Sequence, residues 1–162
     1  MRVLVAGVGN IFLGDDGFGP EVVRELERED LPDGVRLVDY GIGGVHLAYD
    51  LLEPWDALVL IDALPHTEPP GQVEVFEVDS ESLSSPAGFD AHSLDPTSVF
   101  GSVRALGGTL PRTFVVGAHA SSVDEGIGLT PELQSSVGGA VSVVRGLVRS
   151  MAVDAATSGQ EA

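Results

Sequence analysis

The stretch that decides the fold is VLVAGVGNIFLGDDGFGPEVV, residues 3–23, in which a short apolar run leads through a glycine-rich turn into an amphipathic pattern. The run over residues 3–8 is rich in valine and does not alternate with polar residues, which is typical of a strand buried on both faces of a parallel sheet. Over residues 20–29 apolar side chains share one helical stripe, and Pro20 suits the first turn of a helix. The stretch therefore predicts a strand, a turn and a helix in succession.

The same alternation of strands and helices continues along the chain. We predict strands over residues 34–40, 56–64 and 112–119, and helices over residues 44–52, 94–108 and 130–151. Such alternation indicates an α/β domain of three layers, in which helices cover both faces of a mainly parallel sheet. We assign residues 1–152 to this single domain.

Three segments depart from that alternation. In residues 71–79 valines alternate with acidic residues, so we predict a half-exposed strand at an edge of the sheet. Residues 80–93 lack periodicity and predict a long loop, a feature that is more often functional than idle in a compact domain. Residues 153–162 are small and polar, and we predict that they form a disordered tail.

The composition excludes several classes of partner and chemistry. Eight arginines stand against 25 acidic residues, and the formal charge of −17 argues against nucleic acid or an anionic membrane as a partner. The chain contains no cysteine, which excludes disulfides, thiol catalysis and thiolate metal sites. We find no secretory signal pattern and no apolar run near the roughly 20 residues that span a bilayer, so we expect a soluble cytoplasmic protein.

The glycine-rich turn admits a dinucleotide-binding interpretation, which other residues oppose. Gly7 and Gly9 match the start of the G-x-G-x-x-G pattern, but Phe12 occupies the third position, where a side chain would obstruct helix packing near the phosphates. Asp39, at the end of the second strand, could hold a ribose hydroxyl. Two adjacent carboxylates in the turn would repel a pyrophosphate, however, so dinucleotide binding is the weaker alternative.

Two carboxylates and one histidine are better candidates for a site. Asp16 follows the first strand and Asp62 ends the third, so both belong to the carboxyl edge of a parallel sheet, where α/β proteins bind ligands. The long loop could return His92 to the same edge. Oxygen ligands with one imidazole suit first-row divalent ions, and nickel, copper and zinc all qualify by affinity. The sequence thus predicts a metal site with open coordination positions.

Each candidate also has a structural interpretation. Acidic residues at a helix entrance, Asp15 above all, commonly cap the helix or interact with its dipole. A loop histidine is usually solvated, whereas a carboxylate that ends a buried strand needs a donor or a charged partner. Secondary candidates near strand ends or turns are His46, His66 and His119. We find no G-x-S-x-G elbow and no convincing triad for nucleophilic catalysis.

Four motifs stand out when the chain is taken as a whole: GVGNIFLGDDGFG at residues 7–19, LVLIDA at 58–63, AHSLDP at 91–96 and GIGLTPEL at 126–133. Together they resemble the hydrogenase maturation endopeptidases, and the resemblance extends over nearly the whole chain. It implies a five-stranded, twisted, mostly parallel sheet with one antiparallel strand. It also implies that the family's three metal-contacting positions fall on Asp16, Asp62 and His92.

The resemblance also implies a reaction and a partner. Family members are proteases that remove a C-terminal extension from the large-subunit precursor of a [NiFe]-hydrogenase, and they read the nickel already bound in that precursor. Asp16, Asp62 and His92 would then close around the nickel, and polarisation of the scissile carbonyl or activation of a bound water would assist hydrolysis. The general base stays open between Asp15 and one of the other carboxylates. The rival function is a non-catalytic, nickel-dependent checkpoint module that binds the precursor without cutting it.

The chain departs from the family pattern in two places. Residues 39–44 are DYGIGG, where the family often has D-G-G-T-x-G, and this puts substrate recognition by that loop in question. Many members also have a proline shortly after the last strand, where residues 117–122 are GAHASS. Neither change falls on Asp16, Asp62 or His92, so the predicted site is unaffected.

Overall fold

The fold is built around a five-stranded sheet. The computed structural model describes residues 1–78 and 96–160, so the predicted loop over 80–93 and the candidate ligand His92 lie outside the described residues. The strands are β1 Val3–Val8, β2 Val35–Gly41, β3 Ala57–Leu64, β4 Val73–Val78 and β5 Arg112–His119. The helices are α1 Phe18–Leu26, α2 Gly44–Asp50, α3 Pro96–Ala105 and α4 Pro131–Gln160, and a 3₁₀ turn spans Gly14–Gly17.

The strands lie in the order β2-β1-β3-β5-β4. The pairs β1–β2, β1–β3 and β3–β5 are parallel, whereas β4 pairs antiparallel with β5 and ends the sheet. This arrangement confirms the mostly parallel five-stranded sheet and the predicted edge strand. Because β1 and β3 are neighbours, the loops that follow their carboxyl ends meet at one edge of the sheet.

Helices cover both faces of the sheet. Successive side chains of a strand point to opposite faces, so Val3 and Val5 enter a core with α1 and α4, while Leu4 and Ala6 enter a core with α2 and α3. The central strand β3 contributes to both cores, which explains why its sequence is an unbroken apolar run up to Asp62. The predicted three-layer architecture is confirmed.

Several helix bounds differ from the sequence prediction, and two of the differences have clear local reasons. Helix α1 begins at Phe18, two residues early, and Pro20 still lies in the first turn, where its missing N–H breaks no helical hydrogen bond. Helix α3 ends at Ala105 because Gly107 adopts a φ of +84° and the N–H of Gly108 turns back to the Val103 carbonyl at 2.9 Å.

The prediction of a disordered tail over residues 153–162 is wrong for residues 153–160, which continue α4 to Gln160. Their side chains are exposed. These residues are polar because they do not contact the core, although they are helical. Ala155 and Ala156 favour helical backbone, and the Thr157 hydroxyl donates to the Val153 carbonyl at 3.0 Å.

Helix α4 is long and apolar enough to cross a membrane by length and composition alone. Its apolar stripe, however, packs against the sheet, and Leu133, Val144 and Val148 on that stripe are fully buried. These residues of α4 therefore belong to the core of the protein.

Candidate active site

Glycines allow α1 to lie directly on the ends of β1 and β3. A Cβ atom added to Gly19 would stand 2.4 Å from the carbonyl oxygens of both Val8 and Ile61, a distance that no side chain tolerates. A Cβ on Gly7, in β1, would lie 2.5 Å from Cγ2 of Val23, which lies in α1. The close approach carries the 3₁₀ turn before α1 into contact with β3.

Asp16 lies in that 3₁₀ turn and is 7% exposed. Its Oδ2 accepts a hydrogen bond of 2.8 Å from the backbone N–H of Asn10, on the same loop. Gly9 adopts a φ of +139°, and a Cβ there would lie 1.8 Å from the carbonyl oxygen of Asp16. The second glycine of the turn therefore makes room for the backbone of Asp16.

Asp62 lies near the carboxyl end of β3 and is 5% exposed. Its Oδ1 accepts a hydrogen bond of 2.8 Å from the N–H of Ala63. In the adjacent strand its register partner is Gly117, whose hydrogen side chain leaves space, since a Cβ there would be 2.8 Å from the Asp62 carbonyl oxygen. The structure thus brings Asp16 and Asp62 to one edge, as the sequence predicted.

The two carboxylates interact electrostatically. Burial raises the pKa of Asp62 well above its usual range, and the nearby charge of Asp16 raises it further, against the opposing effect of the Ala63 N–H. Burial likewise raises the pKa of Asp16, with the Asn10 N–H opposing. Within residues 1–78 and 98–160 neither carboxylate forms an ion pair. The pair is therefore suited to bind a proton or a cation.

Two of the three ligands predicted for a divalent cation, Asp16 and Asp62, lie among the described residues. Two buried carboxylates offer hard oxygen ligands, and a shared positive charge would relieve their mutual repulsion. Among the described residues no group of three or more histidine, cysteine or acidic side chains could hold a metal ion. The third predicted ligand, His92, lies outside the described residues, so its place as a ligand stays a prediction.

Asp15 has a different role from its neighbour. It is fully buried, and its carboxylate accepts hydrogen bonds from the N–H groups of Ser121, Ser122 and Thr130 at 2.8, 3.1 and 2.7 Å. The Thr130 hydroxyl also lies 3.0 and 2.9 Å from its two oxygens. Asp15 therefore stabilises the segment between β5 and α4, and both of its buried oxygens are engaged by these donors. Sequence reasoning missed this contact because the partners lie more than 100 residues away.

The loop after β1 is held to the same segment by its backbone. Gly14 donates to the Gly126 carbonyl at 2.9 Å, and Gly126 donates to the Phe12 carbonyl at 2.8 Å. Phe12 itself is 58% exposed.

The secondary histidine candidates lie at separate positions. His119, at the end of β5, is 5% exposed, and its Nδ1 lies 2.8 Å from the Pro65 carbonyl, so this nitrogen carries a proton and donates it. Its Nε2 lies 3.3 Å from a carboxylate oxygen of Glu74 in β4. His66 Nδ1 lies 2.6 Å from the Ala120 carbonyl, and His46 is exposed on α2. His66 and His119 thus connect the loop after β3 to β5.

Comparisons with known proteins agree on one family. A family model described as hydrogenase maturation protease matches residues 20–146. The hydrogenase 2 maturation protease of Escherichia coli K12 is 31% identical over 157 residues, which cover 96% of this chain and 95% of that protein. The solved structure of the hydrogenase maturating endopeptidase HybD from E. coli superposes with a TM-score of 0.79 at 31% identity, covering 93% of this chain and 94% of that one. A hydrogenase 2 maturation peptidase from a Thaumarchaeota archaeon superposes with a TM-score of 0.67 at 30% identity, covering 89% and 95%.

Proposed function

The chain belongs to the hydrogenase maturation protease family and is a hydrolase, and we propose that it removes the C-terminal extension of a nickel-loaded [NiFe]-hydrogenase large-subunit precursor. The observation that carries the proposal is the pair of buried carboxylates, Asp16 and Asp62, at the carboxyl edge of the sheet. The cation that the pair would bind arrives with the substrate, as nickel already held by the precursor.

The electrostatics of the pair support recognition of a bound cation. In the free chain burial and mutual repulsion favour a proton on one carboxylate, and a divalent ion competes for the same oxygens. A precursor without nickel would present no charge to displace that proton and would leave two buried carboxylates facing a neutral peptide. The proposed site therefore discriminates loaded from unloaded precursor by charge.

The same pair can transfer the protons that peptide hydrolysis requires. Water adds its oxygen to the scissile carbonyl carbon and gives one proton to a carboxylate, which then returns a proton to the nitrogen as the C–N bond breaks. The raised pKa of Asp62 belongs to the free chain, and nickel bound by the pair would lower it. The proton acceptor in the complex would therefore be a carboxylate oxygen of the pair that the cation leaves free.

The test is cleavage of the unprocessed large subunit, followed by the mass of the released C-terminal peptide. We expect the wild-type chain to cleave nickel-loaded precursor and to leave nickel-free precursor intact. Asp16→Asn, Asp62→Asn and His92→Ala should each abolish cleavage, whereas Asp33→Asn, at an exposed position before β2, should not. Loss of mass from nickel-free precursor at an equal rate would contradict the nickel requirement. Binding without any loss of mass would favour the non-catalytic checkpoint function.

A further inference from the structure

The arginines are absent from the segments that follow the carboxyl ends of the parallel strands. Arginines lie at or beside the first residues of strands, as Arg2, Arg36 and Arg112 do, or beyond the first turn of the helices. The described segments that follow the carboxyl ends of β1, β2, β3 and β5 are residues 9–17, 42–43, 65–72 and 120–130, and they contain no arginine or lysine. Glu68, Asp124 and Glu125 in these segments are exposed. The edge that carries the carboxylate pair is therefore acidic.

The same edge also bears exposed apolar side chains. The three most exposed large apolar residues in the described ranges are Ile127, Ile42 and Val45, at 79%, 72% and 71%. Ile11 and Phe12, on the loop after β1, are 48% and 58% exposed. We call these five residues the edge surface. Exposed apolar residues gathered beside a site are a feature of interaction surfaces.

Backbone hydrogen bonds join the loops that carry the edge surface. The Gly9 N–H donates to the Gly41 carbonyl at 2.8 Å, which connects the loop after β1 to the end of β2. The Gly126 N–H donates to the Phe12 carbonyl at 2.8 Å, which connects the same loop to the segment that carries Ile127. Ile11 and Ile127 line one groove with a volume of about 520 Å³. Glu21, Glu27 and Asp39 also line it, and so does Arg24, which is paired with Glu21 at 2.8 Å. Ile11, Phe12, Ile42 and Ile127 thus lie on connected, hydrogen-bonded loops, and Val45 lies in the first turn of α2, which follows Ile42.

We propose that the edge surface docks a cationic segment of the precursor, one that carries arginine or lysine beside apolar side chains. The proposal rests on the proposed function, because it takes the precursor as the partner. Charge complementarity selects this occupant: the apolar side chains need an apolar counterpart, and the surrounding acids favour positive charge in that counterpart. A second copy of this chain is disfavoured, since it would bring a formal charge of −17 and its own acidic edge against the first.

The test measures binding and cleavage of the unprocessed large-subunit precursor separately. Ile127→Ser should raise KM and Kd about five-fold with kcat unchanged, because it removes a contact made equally before and during the reaction. Asp124→Asn with Glu125→Gln should raise KM by a similar factor and weaken its dependence on NaCl between 50 and 500 mM. Replacing arginine and lysine in the precursor's C-terminal region by glutamine should reproduce the effect of the double variant.

Matched controls sit away from the edge surface. Val153→Ser changes an apolar side chain that is 64% exposed on the last turns of α4, and Asp30→Asn with Asp33→Asn neutralises two exposed acids before β2. Both controls should retain wild-type KM. If the edge variants match their controls and precursor binding is insensitive to salt, the docking proposal is wrong even though cleavage persists. If the wild-type chain does not cleave the precursor, the proposed function is wrong. The Kd of precursor binding then still tests the docking proposal.

Sedimentation of the free chain tests the competing occupant. We expect a monomer at all concentrations, with the same sedimentation coefficient for Ile127→Ser. Concentration-dependent dimers that Ile127→Ser abolishes would show that a second copy covers the edge surface and would overturn the proposal.

Discussion

The charge of Asp16 raises the pKa of Asp62, although one residue lies in the turn before α1 and the other near the end of the central strand β3. This electrostatic interaction depends on α1 lying directly against the ends of β1 and β3. Stability of the free chain and activity toward the precursor are therefore expected to respond in opposite directions to changes at this pair.

Asp62→Asn should stabilise the free chain and abolish cleavage. The amide is nearly isosteric with the carboxylate but removes a buried charge that faces Asp16, so the free energy of unfolding at pH 7.5 should rise by about 1 kcal/mol. Cleavage should fall by at least about 100-fold, since the variant lacks a proton-transfer group. Urea unfolding and peptide release measure the two effects, with Asp33→Asn as control. If Asp62→Asn is less stable than the wild type, the inferred repulsion between Asp16 and Asp62 is wrong.

The pH dependence of stability follows from the same shift. Because the folded-state pKa of Asp62 is raised, the folded state holds more protons than the unfolded state at pH values between the two pKa values. The contribution of Asp62 to stability is thus present at low pH and lost as pH rises through that window. Asp62→Asn should gain stability relative to wild type as pH increases from 4 to 8. A difference that is constant over this range would refute the assignment.

Asp15→Ala should destabilise the chain through the segment between β5 and α4. The substitution leaves the N–H groups of Ser121, Ser122 and Thr130 without their acceptor, and we expect a loss of about 3 kcal/mol. Chemical denaturation measures the loss, and Asp124→Asn, an exposed acid in the same segment, is the control with a change near zero. Equal stability of the two variants would show that the Asp15 hydrogen bonds contribute little.

Gly19→Ala should separate α1 from the sheet. The added Cβ would meet the carbonyl oxygens of Val8 and Ile61 at 2.4 Å, so we expect a loss of about 3 kcal/mol and impaired cleavage from a displaced Asp16. Gly139→Ala is the matched control, because a Cβ there meets no atom within 4 Å, and this exposed helical position should gain about 0.5–1 kcal/mol. Thermal unfolding measures both effects. Equal changes in Tm for the two variants would show that α1 does not lie as close to the sheet as described.

Much of the fold follows from local patterns in the sequence. The unbroken apolar run that ends at Asp62 predicted a central strand, and the alternation over residues 71–79 predicted the edge strand. The unbroken run arises because β3 is buried on both faces, whereas β4 ends the sheet and its side chains are only partly buried. The tail was mispredicted because residues 153–160 make an exposed helix, for which no such burial pattern exists.

The sequence by itself determined that Asp16 follows one strand of a parallel sheet and that Asp62 lies near the end of another, because strand periodicity and the order of the elements can be recognised in consecutive residues. Only the tertiary structure decided which of the adjacent carboxylates, Asp15 or Asp16, faces the site. Asp15 is engaged by Ser121, Ser122 and Thr130, and Asp16 lies beside Asp62. Two neighbouring aspartates are indistinguishable in a local sequence pattern. Their roles differ because packing brings each of them close to different partners from distant segments of the chain.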